Sequence, residues 1–332
     1  MRPPLSLSTV GGGTIELQDA TAVFTGTNFG GRGLSSISGG GVTVTSCSGL
    51  GGSGSLSGWE HQAGSIDIIS SSIAGTSFSV TSGGSLRIAA PSGSIYGITV
   101  AGSTFAMDAA STMTLGGSLS FGNAGEVALS GKTFVNAQLS VSEGSSLSIT
   151  AASGSIGGIT VTDSAFALDA ESTTTLDGSL SFSNACEVTL SDKTSSATSI
   201  TVMTSGTLTM AAIAFRGLQS LTTSSASDRI TIVDSTLAFD GGTGVATHGP
   251  GSVVLDTSQL TFAESASIGL TVSSGSTVSA SSSVFSTRGR AGLRWFVWMT
   301  VDSSQWRVAR WLGPAAALTR FRAMGTPAPK SV

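Results

Sequence analysis

Glu143, Asp163 and Asn184 each stand two residues after an apolar position, at Val141, Val161 and Phe182. If those apolar positions stack in successive layers of strand, the three polar side chains stack as well, about 5 Å apart. Retaining glycosidases hold two carboxyl groups at about that separation, and inverting ones hold them wider. Glu143 and Asp163 are therefore the candidate acid pair of this chain. The competing reading of the same residues is a set of solvated turn positions.

Other chemistry finds less material. Gly49-Leu50-Gly51-Gly52-Ser53-Gly54 fits GxGxxG, but more Gly and Ser follow it instead of the helix that a dinucleotide site needs. The stretch "DGGTGVATHG" at 240–249 lacks the regularly placed Asp of a calcium repeat and reads as a loop. His61 and His248 lie far apart, in Gly-rich stretches that read as loops, and no HExxH or CxxC occurs, so no metal is expected. No GxSxG elbow marks any of the many serines as a nucleophile. Nothing calls for a cofactor. Cys47 and Cys186 are too few for a disulfide framework.

The elements that would position Glu143 and Asp163 follow from a repeat. Residues 85–132 and 146–193 align without gaps at an offset of 61, with 33 of 48 positions identical. Within this long period lies a shorter one. The triplet of hydrophobe, Ser or Thr, hydrophobe occurs at Phe78-Ser79-Val80, Ile98-Thr99-Val100, Leu119-Ser120-Phe121 and Leu139-Ser140-Val141. It continues at Ile159-Thr160-Val161, Leu180-Ser181-Phe182 and Ile200-Thr201-Val202. Each step is 20 or 21 residues, so the 61-residue repeat is three steps.

Two more stripes keep the same step. One runs through Leu86, Phe105, Val127, Leu147, Phe166, Val188 and Leu208. The other runs through Ile95, Leu115, Phe134, Ile156, Leu176 and Phe215, and fails at Ser195. Alternation with period two is strand patterning, with successive side chains on opposite faces. The reading is an all-β, single-stranded parallel β-helix with three short strands per coil of about 20 residues. Hydrophobes fill the inside and the middle Ser or Thr faces out. About ten coils from Phe78 onward predict a rod roughly 50 Å long.

This periodicity resembles the right-handed parallel β-helix, or pectin-lyase-like, superfamily, and most of all its repetitive surface and passenger domains. The resemblance covers about residues 78–287 and implies a non-enzymatic structural or adhesive protein, secreted or at the cell surface. It implies carbohydrate or another surface protein as partner. Pectate-lyase-like enzymes of the superfamily use clustered acidic calcium ligands and a nearby basic residue. Here the body's two lysines, Lys132 and Lys193, do not stand beside the acid pair. A polysaccharide lyase or hydrolase is the alternative, and an ice- or mineral-binding surface a further one. The surface of interest is the outer column Ser79, Thr99, Ser120, Ser140, Thr160, Ser181, Thr201 and Thr222.

Composition divides the chain. Charged residues make up 10% of it and apolar ones 39%, with 45 Gly. Residues 1–77 read as irregular N-terminal coils and 78–287 as the regular solenoid. Residues 1–287 carry 18 acids and 7 basic residues, whereas 288–332 carry one acid, Asp302, and eight basic residues. Trp295, Trp298, Trp306 and Trp311 also lie in the tail. The tail is expected to be a foreign segment, a cap on the solenoid end, or a membrane-surface anchor, in that order. "SSQWRVARWL" and "GPAAALTRFRAM" suggest short amphipathic helices. The acidic body has no cationic stripe for nucleic acid, and membrane contact is expected only through the tail. The opening "MRPPLSLSTV" shows no signal-peptide core, and no apolar run is long enough to span a bilayer.

Overall fold

The structure is a computed structural model. It describes residues 15–308, except 19–20, 33, 39, 51–57, 90–91, 110–111, 185, 192, 196–198, 248–250, 264–269, 273–276, 289–293 and 303–304. The chain divides into two compact units, residues 1–157 with 171–174, and 158–170 with 175–332. Both are parallel β-solenoids with a step near 20 residues.

In the first unit, the strands Ser72–Thr81, Ser92–Ala101, Thr112–Gly122 and Thr133–Ser142 pair in parallel, each with the equivalent strand one coil on. The register joins Phe78 to Ile98, Ile98 to Leu119 and Leu119 to Leu139. It also joins Val80 to Val100, Val100 to Phe121 and Phe121 to Val141. These residues are at most 2% exposed. A second parallel ladder holds Thr21–Thr25, Gly41–Thr45, Ser65–Ile69, Ser85–Ala89 and Thr104–Met107.

The second unit repeats the plan. Leu180–Ser183 pairs with residues 159–162 on one side and Ser199–Met203 on the other, and Ser199–Met203 pairs with Ala214–Thr223. Glu187–Ser191, Thr207–Ala211, Arg229–Val233 and Ser252–Asp256 form the second ladder.

The three expected strands per coil are often two. Ile95 and Ile98 both point inward, so the strand Ser92–Ala101 bends through two sides of the coil. The bend is a register shift between Ile95 and Gly97, a bulge that turns the strand without breaking it. Phe215, Leu218 and Leu221 in Ala214–Thr223 do the same.

The corners explain why Gly, Asn, Asp and Ser punctuate the repeat. In the first unit Ser82, Gly102, Asn123 and Glu143 have φ of 60°, 57°, 48° and 57°. In the second, Asp163, Asn184 and Thr204 have 57°, 57° and 54°. This left-handed region suits Gly and, among other residues, Asn and Asp.

Two expectations need correction. Residues 240–247 are not a loop: they belong to the strand Thr236–Thr247, and Gly244–Thr247 pair with Ser220–Thr223. In the tail, Gln305–Val308 is a strand and not part of a helix. Its neighbour Arg294–Asp302 runs antiparallel both to it and to Thr277–Arg288. Trp306 and Val308 alternate with Gln305 and Arg307, a period of two that the charge pattern obscured. The stretch 313–324 lies outside the described residues.

Candidate functional site

The corner geometry accounts for the acid candidates. Asp163 donates its backbone N–H to the Ser183 carbonyl at 3.1 Å, and Asn184 donates to the Met203 carbonyl at 3.2 Å. In the first unit, Gly102 donates to Gly122 at 2.9 Å and Asn123 to Ser142 at 3.2 Å. Asp163 and Asn184 therefore stack as the spacing predicts, and each stands where the backbone needs a residue that accepts positive φ. Glu143 occupies the equivalent corner of the first unit and, like Ser82 and Thr204, departs from the Gly, Asn, Asp preference. Its carboxylate extends toward Gly122 of the preceding coil, where an added Cβ would lie 3.7 Å from Oε2. Among the described residues, no three His, Cys, Asp or Glu side chains group to hold a metal.

The hydroxyl column is present in register. Ser79 pairs with Thr99, Thr99 with Ser120 and Ser120 with Ser140 in the first unit. Thr160 pairs with Ser181, Ser181 with Thr201 and Thr201 with Thr222 in the second. Thr99 and Thr160 are exposed and the other six half-buried. In the first unit Glu60 precedes Ser79 in the ladder, and in the second Ala246 follows Thr222. Other hydroxyls bond directly between coils, as Thr162 does with Ser183 at 3.2 Å and Ser199 with Ser179 at 3.2 Å.

The two body lysines are interior. Lys132 and Lys193 are at most 1% exposed. Ten positions separate the inward Phe105 from Leu115, against seven between Val127 and Phe134 one coil later. The longer connection brings Asp108 and Ala109 to its corner. There the Lys132 amine donates to the Asp108 carbonyl at 2.7 Å and approaches the Ala109 carbonyl at 3.5 Å. Burial pushes the Lys132 amine below the ordinary lysine value of 10.5, with the nearby Asp108 charge opposing. In the sequence these lysines stand out only as bases absent from the acid pair, although Asp108 with Lys132 recurs as Asp169 with Lys193 at the same offset of 61.

Asp228 is a third interior ionisable residue, 1% exposed. Its Oδ1 accepts from the Ser205 N–H at 2.8 Å, the Gly206 N–H at 3.3 Å and the Ser225 hydroxyl at 2.6 Å. Its Oδ2 accepts from the N–H groups of Ser224 and Ser225 at 2.8 and 2.7 Å. A carboxylate satisfied this fully ties two coils together.

The remaining candidates separate. Cys47 and Cys186 are free buried thiols. Cys47 takes part in a ladder of interior corner residues: Thr27 N–H approaches its sulfur at 3.3 Å, and its own N–H donates to the Ser71 hydroxyl at 3.1 Å. Burial raises the Cys186 thiol above its usual value, which disfavours the reactive thiolate. His61 lies in the strand Gly58–Gln62, not in a loop, opposite Ile37 and Val80. His248 and residues 51–54 of the GxGxxG match lie outside the described residues. Leu50, inside that match, is fully buried.

In each unit, fold and surface together define a parallel β-solenoid with a registered outer run of hydroxyls. Comparison of the chain with protein-family models, with curated proteins and with solved structures returned no match.

Proposed function

We propose that this chain is a non-enzymatic structural or adhesive β-solenoid of a secreted or cell-surface repeat protein, with the coil plan of the pectin-lyase-like superfamily. The observation that carries the reading is the division of labour within each coil. Inward positions are apolar and tightly buried, while the registered outward positions carry hydroxyls. The best acid candidates sit at corners whose backbone already explains them. Such a surface offers repeated, uncharged hydrogen-bonding groups to a carbohydrate or a partner protein.

The competing polysaccharide lyase or hydrolase predicts turnover that depends on Glu143 or Asp163. Incubation with pectate, xylan and cellulose, followed by reducing-end and unsaturated-product assays, is expected to show no cleavage by the wild-type chain. Cleavage that Glu143→Ala or Asp163→Ala abolishes would overturn the structural reading. A freezing-hysteresis assay with Thr99, Thr160 and Thr201 intact or replaced by Ala tests the ice-binding alternative, and no hysteresis is expected.

A further inference from the structure

We propose that Tyr96, together with the amides of Asn136 and Gln138, forms a platform for a neutral oligosaccharide on the first unit. The proposal rests on the adhesive reading above and names its ligand class.

Tyr96 is the only tyrosine of the chain and is 60% exposed. It occupies the bulge between Ile95 and Gly97, left out of register with both neighbouring strands. Bulges re-aim side chains, and this one projects an aromatic ring from an otherwise small-residue face. The two coils flanking the ring have been kept clear for it. A Cβ at Gly75 would lie 2.9 Å from the ring's Cε2, and one at Gly116 would lie 3.4 Å from its Cδ1. Gly116 is buried although the residue paired with it on the next coil, Val135, is 54% exposed. The ring lies against Gly116 and covers it. The backbone beneath is equally close: a Cβ at Gly117 would fall 1.9 Å from the Tyr96 carbonyl oxygen. The result is an aromatic ring held against both flanking coils and open to solvent.

Two coils further, about 9–10 Å along the stack, Val135, Asn136 and Gln138 are all exposed. The two amides converge on Gly157, where a Cβ would lie 2.1 Å from Asn136 Oδ1 and 2.5 Å from Gln138 Nε2. Each amide offers both donors and an acceptor, the pairing that vicinal sugar hydroxyls require.

Charge selects the ligand class. The strands Ser72–Thr81, Ser92–Ala101, Thr112–Gly122 and Thr133–Ser142 contain no charged residue. Such a face has no group with which to recognise a phosphate, an anionic lipid or a polyuronate. A neutral pyranoside fits it: its C–H face packs on the aromatic ring and its hydroxyls meet amides and the Ser and Thr column. The two-coil separation favours a chain of sugars over a single one.

The test uses the full chain with cellohexaose, xylohexaose and mannohexaose, and with oligogalacturonate as the charged comparator. Saturation-transfer NMR and titration calorimetry are expected to detect at least one neutral hexaose and to favour it over oligogalacturonate. Tyr96→Ala should weaken that binding about tenfold or more, and Asn136→Ala with Gln138→Ala by a similar factor. Tyr96→Phe, which keeps the ring, should retain it, and circular dichroism should be unchanged throughout. Absence of neutral-hexaose binding, or binding that Tyr96→Ala leaves intact, overturns the proposal. Loss of concentration-dependent self-association in Tyr96→Ala without any saccharide effect also overturns it, and assigns the face to a second copy. Product analysis of the same mixtures separates the two readings. Cleavage defeats the non-enzymatic function, whereas intact sugar that binds independently of Tyr96 defeats only the platform.

Discussion

Ile95 in the first sequence copy and Ile156 in the second are both fully buried, yet the next residue is Tyr96 in one and Gly157 in the other. The same contrast runs through both copies. Leu86 and Leu147, Phe121 and Phe182, Val127 and Val188, and Lys132 and Lys193 are identical pairs, each member at most 1% exposed. The pairs that differ include Arg87 with Ser148, Gly102 with Asp163 and Ala128 with Thr189, at outward or corner positions. One instructive pair differs inside: Met113 is 1% exposed and its counterpart Thr174 is 2% exposed, with a hydroxyl that finds no hydrogen-bond partner. The interior of a coil is held by packing and tolerates little, while the exterior is free to acquire or lose a binding group.

Core truncation breaks this comparison most severely. Phe121→Ala and Phe182→Ala should each lower stability by about 3–5 kcal/mol in denaturant titrations, because each empties an equivalent, fully buried site. Unequal losses would show that the copies pack differently despite their identity.

Lys132→Met comes next. It leaves the Asp108 carbonyl without its buried donor and should cost about 1–3 kcal/mol at neutral pH. The pH dependence has a defined sign. The folded-state amine loses its proton below 10.5, whereas the unfolded chain keeps its proton up to that value. The unfolded state then binds more protons, so stability rises with pH in that window. Melting curves should show the wild type gaining on Lys132→Met as pH climbs toward 10.5, and a narrowing gap would contradict the burial argument.

Thr174→Val should act in the opposite direction. It removes the unpartnered hydroxyl at nearly constant shape and should stabilise by about 1 kcal/mol in the same titrations. Smallest of all, exchanging the corner residues through Gly102→Asp and Asp163→Gly should move stability by no more than about 0.5 kcal/mol each. A larger change would mean that Asp163 does more than turn the chain.

The stacking was legible in the sequence because inward positions repeat at a nearly constant step and strands show only every second side chain. The period alone brings Thr99 to Ser120 and Asp163 to Asn184. The bend at Tyr96 was not legible, because a bulge is a backbone event and Ile95 and Ile98 read equally well as ends of separate strands. The burial of Lys132 is hidden for a different reason. Lysine normally marks a surface, and the recurrence of Asp108 with Lys132 as Asp169 with Lys193 is the trace in the sequence of an amine that turns inward. Tyr96 was passed over because a single aromatic breaks no pattern, and its meaning depends on the glycines that lie beside it in space and not in sequence.

The left-handed corners carry one more consequence. Because the amides of Gly102, Asn123, Asp163 and Asn184 are each satisfied by a carbonyl of the next coil, a whole number of coils can be added or removed at such corners without stranding a donor. Duplication or loss of the 61-residue period would then lengthen or shorten the protein while keeping this pattern of bonds between coils. Reach becomes a quantity that recombination can adjust far faster than point substitution could.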